Sequence, residues 1–422
     1  MPALKKYKLK QLTTKIGSGA TPRGGDASYK SHGISLIRSQ NVLDFTFSKD
    51  GLVFIDDYQA KELSNVELKE RDVLLNITGD SVARVCQVPN EILPARVNQH
   101  VSIVRADRQK LNPEYLKYYF LSNGSKEMLL TLASIGATRK ALTKSMIEEL
   151  DIEIPNEEGT NTQTRIASIL SSLDDKIELH RRTNHTLEQI AQTLFKKYFV
   201  DDIDPENLPQ GWRSQIFSQQ FDIDKGLSYK GSGLCDKSDG IPMHNLNSVY
   251  EGGGYKYEGL KYYKGEYKER HLINPWDIIV TNTEQGHKYL LIGYPGVVPF
   301  IFGSKGIFTH HLYRVRPKTE SYLTNQYLYY LIMQAKTRDQ IIACTNGTTV
   351  NMLSSVGLEK PEFIMPPKEI VEKFSRLITP IWKRKENIHD ENEKLVAIRD
   401  SLLPKLMSGE IEVNVTEQKL AN

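Results

Sequence analysis

Cysteine is scarce in this sequence. The three residues, Cys86, Cys235 and Cys344, lie far apart in 422 positions and form no C-x-x-C pair. That spacing excludes a disulfide framework or a zinc-ribbon site and fits reduced thiols in a cytoplasmic chain. A charge excess is missing as well: 55 Lys and Arg against 52 Asp and Glu leave a net +3. So mild a balance permits a nucleic-acid partner without requiring one. Long apolar runs are also absent. The N-terminal MPALKKYKLK has no signal-peptide core. The most apolar stretch, LLIGYPGVVPFIF from Leu290, is short and broken by Gly and Pro, so no membrane-spanning helix is expected.

The motifs of common catalysts are missing too. There is no Walker A loop, no strand–GxGxxG–helix unit, no Asn- or Asp-Pro-Pro-Tyr segment, no His-Glu-x-x-His helix and no Gly-x-Ser-x-Gly elbow. GSGLCDKSDG from Gly231 sits in a polar loop, and NPWD at Asn274 only faintly echoes the methyltransferase segment. The adjacent His310 and His311 are expected on opposite faces of a strand, where they cannot share an ion. The chain is therefore expected to hold no metal and no cofactor.

What is present is a repeat. GISLIRSQNV from Gly33 returns as GIPMHNLNSV from Gly240, and RDVLLNITGD from Arg71 as WDIIVTNTEQ from Trp276. NQHVSIVR from Asn98 returns as THHLYRVR from Thr309, LNPEYLKYYF from Leu111 as LTNQYLYYLI from Leu323, and GATRKAL from Gly136 as GTTVNML from Gly347. The five pairs keep one order at offsets of about 205–212 residues, the mark of a duplication. In each half, short β-like runs are separated by Gly, Asn and Asp turns, and a capped helix such as that opened by Asn112 and Pro113 follows. A proline-stopped strand, LDIEIP or PEFIMPP, then leads into a long helix.

Read in heptads, the first long helix places Ile166, Leu170, Leu173, Ile177, Asn184, Leu187 and Leu194 on one stripe. The second places Phe374, Ile378, Ile381, Ile388, Asn392, Leu395 and Leu402 there. Both stripes are narrow, which suits a two-helix seam. In a duplicated chain the pair should be antiparallel, each member about 37 residues and roughly 55 Å long. The expected fold is α+β: two globular domains of mixed α/β content, joined and spaced by two long antiparallel helices in a coiled coil. The boundaries are 1–155 and 204–367 for the domains, 156–203 and 368–410 for the helices, and 411–422 for a flexible tail.

Particular motifs carry a resemblance to the specificity (S) subunits of type I restriction–modification enzymes. KIGSGATP (Lys15–Pro22) looks like that family's opening motif of the first recognition domain. The tract from Asp151 to Asp201, with TQTRIASILSSLDDKIELHRRTNHTLEQIAQTLFKKYFVD, is very similar to its central conserved region. LPQGW (Leu208–Trp212) and LVAIRDSLLPKLMSGEI (Leu395–Ile411) resemble the start of the second domain and the C-terminal helix. Two departures stand out. The second domain has DIDKGLSY (Asp222–Tyr229) in place of a Gly-x-Thr-Pro motif, and Thr162–Gln163 replace the usual Glu-Gln.

The resemblance implies a non-catalytic reader of double-stranded DNA, in which each domain binds one half of an asymmetric bipartite target. It implies half-sites of about 3–5 bp and an unread gap of about 5–8 bp, from centres roughly one helical turn apart. It also implies two modification (methyltransferase) subunits using S-adenosylmethionine for adenine N6 methylation, and restriction/translocase subunits using ATP and Mg²⁺. A coiled-coil adaptor without DNA contact, or a stand-alone methyltransferase or nuclease, are the competing classes.

Base edges are read by Arg, Lys, Asn, Gln, Ser and Thr. The first-domain candidates are Arg23, Arg38, Gln40, Asn41, Asn76, Thr78, Arg84, Arg139 and Lys140. Those of the second are Lys230, His244, Asn245, Asn247, Asn282, Thr283, Lys288, Thr348, Thr349 and Asn351. The tract Tyr250–Tyr267 is expected to form a hairpin with cross-strand Tyr pairs, or to contact phosphates. His100 and His311 are repeat-equivalent and expected to be structural.

Overall fold

The computed structural model describes residues 3–135, 140–157, 159–286, 288–303, 305–347 and 350–413. The chain sorts into two units, Met1–Leu179 with Asn392–Asn422, and His180–Glu391. The division falls inside both long helices, so each unit is a globular domain with one half of each helix.

In the first unit, β1 (Leu4–Lys8) runs antiparallel to β9 (Asp151–Pro155), with Leu4 opposite Pro155, and so ties the start of the domain to its end. An antiparallel sheet follows in the order β2 (Thr13–Ser18), β8 (Val101–Ala106), β5 (Val73–Asn76), β6 (Val85–Gln87). A second sheet sets β3 (Ile34–Ile37) between antiparallel β4 (Val53–Ile55) and parallel β7 (Ala95–Val97). Strand β5 shows why both its faces are apolar. Val73 and Leu75 join the core that contains the helices, whereas Leu74 joins the core under β3 and β7, as period-2 alternation requires. Helix α1 (Asp57–Glu62) is capped by Asp56, which accepts from the Gln59 N–H. Helix α2 (Pro113–Leu121) starts where Asn112 accepts from the Glu114 and Tyr115 N–H groups. Helices α3 (Asn123–Ser134) and α4 (Lys144–Glu148) complete the domain.

The second unit repeats this plan. β10 (Arg213–Ile216) pairs antiparallel with β23 (Glu362–Met365), and the short helix α6 (Phe217–Gln220) leads into the sheet. The sheet order is β11 (Phe221–Lys225), β20 (Leu312–Pro317), β16 (Ile278–Thr281), β18 (Pro295–Val297). β13 (Ile241–His244) again lies between antiparallel β14 (Lys261–Tyr263) and parallel β19 (Gly306–Phe308). This sheet is widened by β12 (Leu234–Cys235) and β15 (Leu272–Ile273). A small third sheet joins β17 (Thr283–Gln285), β22 (Val350–Leu353) and β21 (Thr345–Asn346). Helices α7 (Asn325–Met333), α8 (Ala335–Ala343) and α9 (Ser355–Glu359) stand where α2 to α4 stand in the first domain.

The long helices are α5 (Asn161–Phe199) and α10 (Lys368–Ser408). Within the second unit their halves run antiparallel. His180 meets Glu391 at 3.3 Å, Glu188 meets Lys385 at 2.5 Å, and the Phe195 and Phe374 rings lie 5.5 Å apart. Within the first unit, Arg399 reaches Asp174 at 2.9 Å, and Ile166 and Leu170 share a core with Leu403 and Leu406.

The buried face is broader than the narrow stripe expected from heptads. Ile166, Leu170, Ile177, Phe374, Ile378 and Ile388 are buried, but Leu173, Leu187, Leu194, Ile381, Leu395 and Leu402 are only half-buried. Ala167, Ala191, Phe195, Phe199, Trp382 and Met407 take the deep positions instead. The cause is that each half-helix packs into its own domain's core as well as on the other helix, and a helix with two neighbours buries a wider arc. Asn184 and Asn392 are half-buried, and the Asn184 side-chain oxygen is buried without a hydrogen-bond partner.

Two glycines explain the opening motif. A Cβ on Gly19 would stand 1.6 Å from the Val97 carbonyl oxygen, and one on Gly226 would stand 2.2 Å from that of Thr309. The second domain, although it lacks Gly-x-Thr-Pro, thus keeps its glycine where backbone crosses backbone. Gly19→Ala must push the two segments apart and break the 3.1 Å Gly19 N–H to Asn98 O bond. It is expected to cost about 3 kcal/mol, the upper end for forced overpacking, read as a lowered melting temperature of the first unit.

Candidate nucleic-acid interface

In the first domain, five chain segments meet at one end of the sheets. Asn76, fully buried at the end of β5, donates to the Ser39 and Val42 carbonyls at 2.8 and 3.3 Å. Asn41, also fully buried, accepts from the Arg38 N–H and donates to the Ser48 and Asp50 carbonyls. The Lys140 carbonyl accepts from the Gly79 N–H at 3.0 Å. Loops 38–52, 76–84 and 98–100 and the segments around 21 and 140 are thereby fixed to one another.

A side-chain chain runs along this end. The Thr21 hydroxyl donates to Gln99 Oε1 at 2.5 Å, the Gln99 amide meets His100 Nε2 at 3.1 Å, and His100 Nδ1 meets Thr78 Oγ1 at 2.6 Å. The His100 carbonyl is held by the Ile77 N–H at 3.0 Å.

The sequence candidates separate accordingly. Arg23, Gln40, Arg84 and Lys140 are exposed, and Arg23 has 84% of its side chain accessible, with Glu62 at 3.5 Å. Arg38 is half-buried, donating to the Gly51 carbonyl at 2.6 Å. Asn41 and Asn76 do not project from the surface; they hold the loops. Thr78 orients His100. Arg139 lies outside the described residues.

The second domain divides in the same way. Asn245, buried, donates to the Gly259 carbonyl at 2.7 Å and accepts from the Asn247 N–H. Asn282 donates to the His310 carbonyl at 2.9 Å, Asn351 to the Gly286 carbonyl, and Thr283 meets His311 Nδ1 at 3.1 Å. His244 is 1% exposed, its Nδ1 meets the Tyr255 hydroxyl at 2.8 Å, and burial pushes its pKa down to about 3. It is therefore a neutral core residue and no partner for a phosphate. Lys230, Asn247 and Lys288 are exposed. Thr348 and Thr349 lie outside the described residues.

A cleft of about 620 Å³ opens beside these loops, lined by Asn247, Tyr250, Lys256, Lys261 and His311 among others. Lys256 donates to the Asn247 side-chain oxygen at 3.0 Å. Lys256 and Lys261 belong to the Tyr250–Tyr267 tract, whose alternation of Tyr and Lys is the sequence sign of a phosphate-facing surface.

That tract is not a hairpin of Tyr pairs. Tyr262 opposes Cys235 and Pro242, and Tyr263 opposes Leu234 and Ile241. Tyr255 and Tyr257 turn inward against Phe302, and Tyr257 stacks on His389 at 3.5 Å. His310 and His311 depart from expectation as well. They lie in a turn rather than a strand, and their rings are 3.9 Å apart. Burial, and then the neighbouring His310, lower the pKa of His311. Among the described residues no group of three His, Cys, Asp or Glu side chains could hold a metal ion. No helix among them is long and apolar enough to cross a membrane.

Comparison with known proteins gives a consistent result. Residues 4–189 match the family described as the type I restriction modification DNA specificity domain. The type I restriction enzyme MjaIX specificity subunit of Methanocaldococcus jannaschii is 28% identical over 71% of this chain and 69% of its own length. The HindI specificity subunit of Haemophilus influenzae is 24% identical over 86% of this chain and 94% of its own. The crystal structure of a type I restriction–modification S subunit from M. genitalium shares the fold, with a TM-score of 0.59 at 14% identity and 96% of each chain covered.

Proposed function

We infer that this chain, which belongs to the specificity subunits of type I restriction–modification enzymes, reads double-stranded DNA with both of its domains. Each domain takes one half of an asymmetric, bipartite target. The observation that carries this is the loop-bearing end repeated in both domains. At each, buried Asn side chains fix the loops (Asn41 and Asn76; Asn245 and Asn282) and leave exposed Arg, Lys, Asn and Gln side chains pointing outward. Rigid loops carrying donors and acceptors of fixed geometry are what direct readout of base edges needs. The exposed cations, Arg23, Arg84, Lys140, Lys230 and Lys288, supply sequence-independent attraction to phosphates.

The chain itself catalyses nothing in this reading. Methyl transfer to adenine N6 belongs to two modification subunits that bring S-adenosylmethionine, and cleavage belongs to restriction/translocase subunits that use ATP and Mg²⁺. The complex works in the cytoplasm, on the cell's own DNA and on incoming DNA.

Mapping N6-methyladenine across the genome of cells that express this chain with its modification subunit tests the reading. A single two-part motif with a fixed gap is expected, and it disappears when the gene for this chain is deleted. A methylation pattern unchanged by the deletion would leave the coiled-coil adaptor in its place.

A further inference from the structure

The first domain carries a polar chain that the function as stated does not use. Gln99 is exposed, yet its amide is held at both ends: the Thr21 hydroxyl donates to Oε1 at 2.5 Å, and Nε2 donates to His100 Nε2 at 3.1 Å. An imidazole that accepts at Nε2 carries its proton on Nδ1, and that proton goes to Thr78 Oγ1 at 2.6 Å. His100 is fastened further by its carbonyl, which accepts from the Ile77 N–H. A primary amide has two N–H donors and two acceptor lone pairs. The chain uses one of each. Reversing the chain, with the amide turned over and every donor exchanged for its acceptor, leaves the same remainder on an exposed side chain: one N–H and one lone pair.

That remainder is complementary to one base edge. Adenine presents N7 as an acceptor beside the N6 amino donor in the major groove, and Gln or Asn satisfies both at once. Guanine places two acceptors there, which would leave the glutamine oxygen facing an oxygen.

We propose that Gln99 is a specificity-determining residue of the first domain, reading an adenine through both arms of its amide. Thr21, His100 and Thr78 act as positioning residues that hold the amide in plane. The proposal rests on the DNA-reading function inferred above and sharpens it to one residue and one base. It also gives the threonine of KIGSGATP a role separate from the glycine, which serves the backbone crossing.

The two domains differ at this position. His311 keeps the threonine contact, through Thr283 at 3.1 Å, and its carbonyl is likewise held by the Asn282 N–H at 3.1 Å. The residue before it is His310, not glutamine, and its ring lies against His311. The second domain keeps the support and lacks the reader, so the adenine contact belongs to the first half-site alone.

The test is competition binding by the intact complex of this chain with its modification subunits. The competitors are duplexes in which each base pair of the mapped motif is changed in turn. For Gln99→Ala, discrimination at one A·T pair of one half-site should fall roughly 5- to 150-fold, the worth of a bidentate contact. Every other position should keep its stringency. Thr21→Val should lose part of that discrimination and Thr21→Ser little, because only the hydroxyl is needed.

Three results would overturn the proposal: unchanged discrimination in Gln99→Ala, a uniform weakening toward every duplex, or half-sites of which neither contains an A·T pair. A wild-type complex with no sequence preference at all would instead remove the DNA-reading function on which the proposal stands.

Discussion

Asp174→Ala is expected to destabilise the first unit by about 3–5 kcal/mol, the cost of removing one partner from a buried ion pair. Asp174 sits on α5 and collects three donors: Arg399 Nη1 at 2.9 Å, the Tyr118 hydroxyl at 2.6 Å and Lys117 Nζ at 3.3 Å. The two cations are almost wholly enclosed, with 8% of each side chain accessible. Arg399 is also packed over the Phe45 ring at 3.5 Å. Alanine leaves Lys117 buried without this counter-charge and leaves Arg399 to Asp400, 2.8 Å away, and little water can reach the two cations in its place. Hydrogen exchange should report the loss as faster opening of Asn161–Leu179 and Asn392–Ser408, together with α2. Adding Arg399→Met to Asp174→Ala should recover part of the stability, because the cost lies in the stranded charge rather than in the bond. If the double variant is less stable than the single one by the full cost of a second independent loss, the ion pair is not what joins these elements.

The sequence made this joint only half legible. The repeat, the capped helix at Asn112 and Pro113 and the strands RDVLLNIT and WDIIVTNT follow from local rules: alternation, capping and turn chemistry act over a few residues. The first sheet of each domain and the β4-β3-β7 and β14-β13-β19 triplets of the second, each with one parallel pair, have the same strand order in both halves, as the constant offset of the repeat implies. The heptad reading, however, gave no sign that Asp174 and Arg399 meet. Their pairing across 225 positions has no local signature.

The same limit governs the interface. Asn and Thr serve as loop fasteners and as base readers with the same atoms, so residue type could not separate Asn76 from Asn247. What separates them is tertiary. The partner of Asn76 is the Ser39 carbonyl, 37 positions away, whereas Asn247 stands exposed and is met by Lys256. Gln99 went unnoticed for a related reason. It lies beside His100 at the start of an apolar strand, and what gives it meaning is Thr21, 78 positions earlier.

Phe374→Ala should cost the second unit about 3–5 kcal/mol, the range for emptying a buried phenylalanine site. The heptad reading put Phe374 in a two-helix seam, and it does face α5. The Phe195 and Phe199 rings stand 5.5 and 5.1 Å from its own. It also lies 5.9 Å from Tyr330 of α7, edge to face, and Phe195 and Phe199 in turn pack on Tyr327 at 5.5 and 4.9 Å. One side chain therefore joins three helices, and its removal opens a void that none of them can fill alone, since rings fixed edge to face do not slide inward without losing their other contacts. Hydrogen exchange in Phe374→Ala should accelerate in α7 as well as in the paired half-helices. Ile381→Ala, at a half-buried seam position, should cost about 1–2 kcal/mol, below the range for fully buried sites, and leave α7 protected. An Ile381 variant at least as damaging as the Phe374 one, with α7 unaffected in both, would restore the narrow two-helix seam and remove the domain core as the anchor of α10.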